Sequence, residues 1–427
     1  ARVILKIFSE STPKNKECQI ISRDPRAPER IFIDYSILGR ILTGRGPSVP
    51  RRPAYEHAAT RDIPRPENDK ERDMEALSLI PAAEAIPAPW WLFESLDILT
   101  LAVHFILINI VVGGSLIAVG SRIAAKIGDG TGLPHVPYGI TTALALGINF
   151  GVAPFLFTQV LYGQLLYTSS ILMAVWWLAV IPLLIVAYYG AYIHTGGSSH
   201  GILRTFALVI STFALLYIAF IFVNNMTLML RPQAWKAFFA DRTGTILNLG
   251  DPTTIPRYLH FLIASTAVAG LFSALRARRG AGAADAGDVR KGLRIFAIAT
   301  LVQVFIGLWF LATLPGNAML LFLGGNTTFT IILAFGVVLT FASIIYALRG
   351  RVIPATATLI AIIFLMVVNR ANLRSAYIRE FSDPAGLRLE PQYGAMALFL
   401  VAIIGMAYAL WCLIGMLPVS KERRNGR

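Results

Sequence analysis

The sequence predicts an all-α fold, a polytopic membrane bundle of about nine transmembrane helices. Three observations carry that reading. Of 427 residues, 56% are hydrophobic and only 15% charged, with mean hydropathy +0.63, a composition outside the range of soluble domains. Apolar runs recur at bilayer length between short polar breaks, and Lys and Arg gather in alternate connections, as the positive-inside rule requires. The net charge of +14 follows from those basic loops and their attraction to anionic lipid, so the bilayer rather than nucleic acid is the expected partner.

Residues 1–73 form a first domain, a polar and proline-rich N-terminal extension with 15 Lys/Arg and 11 Asp/Glu. Segments such as RGPSVPRRPAYE and RDIPRPENDKERD read as extended coil without an apolar core. No secretory signal stands out in it. Met74 opens MEALSLIPAAEAIPAPWWLFESLD and reads as a natural start, leading through the interfacial pair Trp90 and Trp91 into the nine-span domain, residues 74–427.

The first span, 96–119, supplies the roughly 20 apolar residues that cross a hydrocarbon core of about 30 Å. It carries His104 about a third of the way in. The remaining spans are expected at 138–163, 169–193, 204–230, 258–277, 292–314, 327–348, 352–371 and 394–417. Pro154 and Pro182 fall inside spans, which membrane helices tolerate when neighbours satisfy the freed backbone. No internal repeat is evident. Connections after spans one, three, five and seven, with the C-terminal tail, hold about 15 basic residues against 8 on the other side. This predicts a bacterial inner-membrane protein with a cytoplasmic C-terminus and Met74 outside.

Cys18 and Cys412 lie far apart in the predicted topology, so no disulfide is expected between them. Without a CxxCH segment or a cysteine cluster, covalent haem c and iron–sulfur clusters are not expected either. Among six histidines, His57 lies in the polar head, His135 and His200 in loops on the basic side, and His194 closes span three on that same side. His104 in span one and His260 in span five share the opposite level. An imidazole there needs a partner. Two readings stand: interhelical hydrogen bonds of about 1 kcal/mol, or axial ligation of haem between facing helices. The carboxylates outside the head all fall in loops or at helix edges, Glu94 and Asp97 lying nearest the interior, so no acidic proton relay is expected.

Several segments together resemble the large haem-carrying subunit of cytochrome bd-type quinol oxidases. They are HFILINIVVGGSLIAV from His104, the GINF of Gly147 to Phe150, RYLHFLIASTAVAGLF around His260, and the FAIA of Phe296 to Ala299. The resemblance runs through nine spans in order. It implies that His260 ligates a low-spin haem b and His104 a second haem near the outer face, so one or two haems b, with quinone or quinol as a further ligand. The chain also departs from the family. Ile332 stands where the resemblance places a methionine opposite the low-spin histidine, and SSILMAVWWLAV lacks the glutamates of the oxygen-reducing site. Span eight has Asn369, Arg370 and Arg374 in place of a glutamate, and the long quinol loop is cut to Pro315–Asn326. Arg370 and Arg374 are candidates for haem propionates, the planar fork suiting carboxylates. A positive patch facing lipid phosphates is the other reading.

The function these residues imply is a haem b electron-transfer subunit within a larger respiratory complex. It would exchange electrons between the quinone pool and a partner such as a periplasmic cytochrome c. Two alternatives remain open: a haemless anchor subunit of a redox complex, and a bd-type terminal oxidase completed by a partner chain.

Overall fold

A computed structural model describes residues 79–127, 140–196, 201–279, 283–379 and 381–416. All of them belong to one compact unit, Ala59–Arg427. The expectation for residues 1–73 lies outside the described residues, as do His57, His135 and His200.

Nine long helices follow in order: α1 Trp90–Ile127, α2 Ile140–Leu172, α3 Ala174–Thr195, α4 Gly201–Met229, α5 Thr254–Ala277, α6 Ala283–Ala312, α7 Thr327–Leu348, α8 Val352–Ile378 and α9 Tyr393–Met416. The first eight are long and apolar enough to cross a membrane. The ninth, with 24 residues, occupies the last predicted span. Large apolar side chains point outward along them, including Leu178, Ile181 and Ile185 of α3 and Phe335 and Val338 of α7. A surface of this kind is stable only against lipid or another protein.

Helix ends explain where the predicted boundaries moved. The first helix begins at Trp90 rather than at residue 96, so Glu94 and Asp97 lie inside it rather than at its edge. The second was expected to stop near residue 163, but it runs on to Leu172 through a kink at Tyr162 (φ −136°, ψ 28°). Only Met173 then separates it from α3. A loop from the far side of α4 covers this tight junction: the Leu172 carbonyl accepts from Ile246 N, and the Gly244 carbonyl from Val175 N. Gly244 adopts φ 74° to make that approach, a conformation open to glycine. Asn326 caps α7 by accepting from Phe329 N at 3.2 Å, and Gly350 (φ 70°) turns the chain between α7 and α8.

Four tight pairs, α1 with α2, α3 with α4, α5 with α6, and α7 with α8, build the bundle around a central α1–α5 seam, and both seam helices also touch α4 and α8. Phe105 lies tilted against Phe261, ring centroids 6.4 Å apart, Asn109 accepts a 2.7 Å bond from Ser265 Oγ, and Ile110 clusters with Val268. The numbers rise together, so α1 and α5 run parallel. On α8 they fall: Arg374 meets Asp97, Val367 packs with Leu101, and Ile363 with Ile110.

The central seam reveals a repeat that the sequence had hidden. Asn109 and Ser265 are 156 residues apart, and the same offset relates Phe105 to Phe261, and His104 to His260. It also carries Gly151 of α2 onto Gly307 of α6. The order of helix pairs repeats in the same way, α1–α4 followed by α5–α8. Apart from these positions the side chains have diverged, so the pattern is not visible in the residues alone.

Candidate functional site

The described basic residues Arg276, Arg278, Arg279, Arg290, Lys291, Arg294, Arg349 and Arg351 cluster where α5 ends, α6 begins and α7 turns into α8. The candidate site lies toward the opposite face. His104 and His260 each precede the Asn109–Ser265 bond by five residues, so on parallel helices both stand at one level, about 7.5 Å nearer that face. His194 is at the basic face, where its Nδ1 approaches the Arg204 carbonyl at 3.2 Å.

His104 leans on α2. Its Nδ1 lies 2.8 Å from the Gly147 carbonyl, and a carbonyl only accepts, so Nδ1 carries the proton and donates. That leaves Nε2 with its lone pair, the arrangement in which a histidine is presented to a metal. Gly151 makes the space: a Cβ there would come within 2.7 Å of the ring. His260 leans instead on α6, where a Cβ at Gly307 would meet its ring at 3.4 Å and Phe310 lies 6.4 Å away. Its Nδ1 is closed to solvent and has no partner. Gln303, one turn before Gly307 and at the repeat position of Gly147, has an equally unpartnered Oε1. The structure therefore places both histidines at one level but turns their rings toward different helices.

Nearer the start of α1 the buried side chains are charged. Arg374 is buried with 2% exposure and grips Asp97 through both Nη1 and Nη2 at 3.0 Å, and Glu94 through Nη2 at 3.0 Å. Its guanidinium lies 4.5 Å from the Tyr162 ring, while the Tyr162 hydroxyl donates to Glu94 at 3.3 Å. The kink in α2 thus presents the ring that covers this ion pair. Arg374 already has two carboxylates. Arg370, one turn away, makes no hydrogen bond among the described residues, and Asp97, Glu94, Arg374 and Arg257 are the charges around it.

Sequence reasoning passed over Gln303 and Asn372, and it named Asn369 and Arg257 without giving either a role, the first in the span eight departure and the second at the head of RYLHFLIASTAVAGLF. Arg257 counted among the loop residues as well as opening the RYLH segment, and its position three before His260, which sets both on one helix face, was the available signal. Asn369, 9% exposed, has both amide atoms without partners, and Asn372 Nδ2 has none either. Among the described residues no three His, Cys, Asp or Glu side chains form a metal cluster. Haem does not need one, since the porphyrin nitrogens hold the iron and the protein adds one or two axial ligands.

Fold and site together define a multi-pass, all-helical membrane protein with a polar, cation-rich centre near one face. No known family matches the chain, and no curated protein matches it.

Proposed function

We propose that the chain is a haem b-binding electron-transfer subunit of the bacterial inner membrane, exchanging electrons between the quinone pool and a redox partner such as a periplasmic cytochrome c. The observation that carries the reading is the twin setting of His104 and His260. They stand at equivalent positions of the two halves, at one depth, each ring lodged against a glycine whose missing side chain makes the space the ring occupies. A hydrogen-bonding role accounts for His104 Nδ1 alone. It leaves His260 Nδ1, closed to solvent, without a partner among the described residues.

The residues present fit haem. His104, oriented by the Gly147 carbonyl, would hold one haem through Nε2, and His260, beside α6, would hold a second. Haem would supply one-electron chemistry. The protein's part is to fix the ring planes, exclude water with Phe105, Phe261 and Phe310, and set the potential through nearby charge. Asp97 and Glu94 are tied to Arg374, so they hold an ion pair rather than a proton path. This supports electron transfer over oxygen reduction. The basic face is assigned to the cytoplasm with the C-terminus, which sets the histidines toward the periplasmic side.

A reduced-minus-oxidised optical spectrum of the purified protein tests the proposal. Haem b bands are expected, and His260→Ala should abolish one component while His104→Ala abolishes the other. Absence of any haem band from the wild type would leave the haemless anchor. A chlorin-type band with oxygen uptake would favour a terminal oxidase.

A further inference from the structure

The basic face is loaded unevenly between the two halves. At that face the ends of α1 to α4 carry Arg122, Lys126 and Arg204, whereas the ends of α5 to α8 carry the eight basic residues placed there above. The positive-inside rule sets the sign of a face but does not divide it between halves. Arg204 is engaged, its Nε donating to the His194 carbonyl at 2.9 Å. Of the eight, Lys291 alone meets a carboxylate among the described residues, Asp288 at 3.7 Å. The seven arginines are exposed. One apolar cluster draws these ends together, packing Leu271 and Ala274 of α5, Leu293 and Phe296 of α6, Ala347 of α7 and Val352 of α8 on one another. A Cβ at Gly292 would come within 2.6 Å of the Gly270 carbonyl oxygen, so α5 and α6 meet backbone to backbone just inside the cations.

What lies below the cations selects the partner. Arg290 and Arg294 share one face of α6 with Ile298, Leu301 and Phe305, each three or four residues from the last, and all five are exposed. Arg349 closes α7 in the same way above Ile345, Phe341 and Val338. A cation at the mouth of a span with an apolar lane beneath it has the order of a phospholipid, head above chain. An acidic protein would meet the cations and leave the lane unused. We propose that the α5–α8 half holds an acidic phospholipid at this corner, its phosphate on Arg290 and Arg294 and its acyl chains along Ile298, Leu301 and Phe305. Guanidinium forks take phosphate oxygens in pairs, and Arg349 and Arg351 add attraction from the neighbouring turn. The site is independent of any cofactor at His104 or His260.

The full chain, purified in detergent, is titrated with phosphatidylglycerol and with phosphatidylethanolamine of identical chains, followed by native mass spectrometry. The wild type is expected to bind the first at least about tenfold more tightly. The double variant Arg290→Gln, Arg294→Gln should lose roughly thirtyfold in affinity for phosphatidylglycerol. The control Arg122→Gln, Lys126→Gln, on the same face of the other half, should bind it as the wild type does. Phosphatidylglycerol should also raise the unfolding midpoint of the wild type and the control but not of the Arg290, Arg294 variant. Equal binding of the two lipids by the wild type, or equal loss in both double variants, overturns the site in favour of diffuse interfacial charge. Displacement of the lipid by an equal concentration of its chainless headgroup, glycerophosphoglycerol, would show that the lane plays no part and overturn the lipid assignment. Polyglutamate bound by the wild type in place of the lipid would assign the patch to an acidic protein and overturn it as well.

Discussion

Arg374 shows how far a side chain's neighbours decide its role. Its two nitrogens reach Asp97 and Glu94, with the Tyr162 ring beneath. Removing one member of a buried ion pair strands the other, which typically costs about 3–5 kcal/mol. Arg374→Ala should therefore lower the thermal unfolding midpoint of the detergent-solubilised protein sharply. The triple change Arg374→Met, Asp97→Leu, Glu94→Gln should recover only part of the loss, because it strands neither member of this ion pair but takes from Arg370 the two carboxylates that face it. A second residue-scale prediction concerns the two glycines beside the histidines. Gly151→Ala forces a methyl to 2.7 Å from the His104 ring, whereas Gly307→Ala brings one only to 3.4 Å from His260. The first should shift or abolish the spectral component assigned to His104, and the second should leave the His260 component nearly intact.

At the scale of elements, the α1–α5 seam is held by close backbone approach more than by polar bonds. The Asn109–Ser265 hydrogen bond contributes on the order of 1 kcal/mol in a membrane bundle. By contrast, a Cβ at Gly113 would sit 1.9 Å from the Ser265 carbonyl oxygen, on rigid backbone. Gly113→Ala should then cost about 1–3 kcal/mol through forced separation of the helices, read as a lower unfolding midpoint. Gly336→Ala on α7 is the matched control: nothing lies within 4 Å of its added Cβ, so it should be neutral or stabilising by up to about 1 kcal/mol. The same seam also breaks the equivalence of the two halves. The 156-residue offset sets Arg257 opposite Leu101 and Thr253 opposite Asp97, so α5 carries before His260 a cation that α1 lacks, and α1 carries before His104 an acid that α5 lacks. Positive charge near a haem favours its reduced form, and the His260 component is expected at the higher midpoint potential in a redox titration.

For the whole molecule, orientation is the prediction that the fold sharpens. The predicted excess of basic residues was 15 to 8, but three of the eight, Arg257, Arg370 and Arg374, lie within the bundle rather than in lipid-facing connections. The true loop asymmetry is steeper. In a cysteine-free background, Thr243→Cys should react in intact cells with a membrane-impermeant maleimide, while Arg349→Cys should react only after lysis. The reverse pattern would invert the topology. At the face carrying Thr243, the segments before α1 and α9 are tied together: Ile86 N donates to the Arg388 carbonyl and Glu390 N to the Ile86 carbonyl. Beyond this tie, α9 is exposed at every residue from Tyr393 to Gly405 except Met396, as befits a helix at the edge of the bundle.

The sequence by itself determined the class of fold, the number of long helices and the level of the histidines, because bilayer thickness demands unbroken apolar runs and punctuation between them. It misjudged places where continuity depends on contacts from afar: α2 survives the kink at Tyr162, and α1 begins early enough to hold Glu94 and Asp97. Composition read those acids as edge residues, since a carboxylate in lipid is costly until its partner is known, and Arg374 lies 277 residues from Asp97. Only the tertiary structure decided which arginines are spent and which are free, how each imidazole is turned, and that the two halves repeat. Those are questions of pairing between distant segments, and a pairing energy exists only once the helices have met.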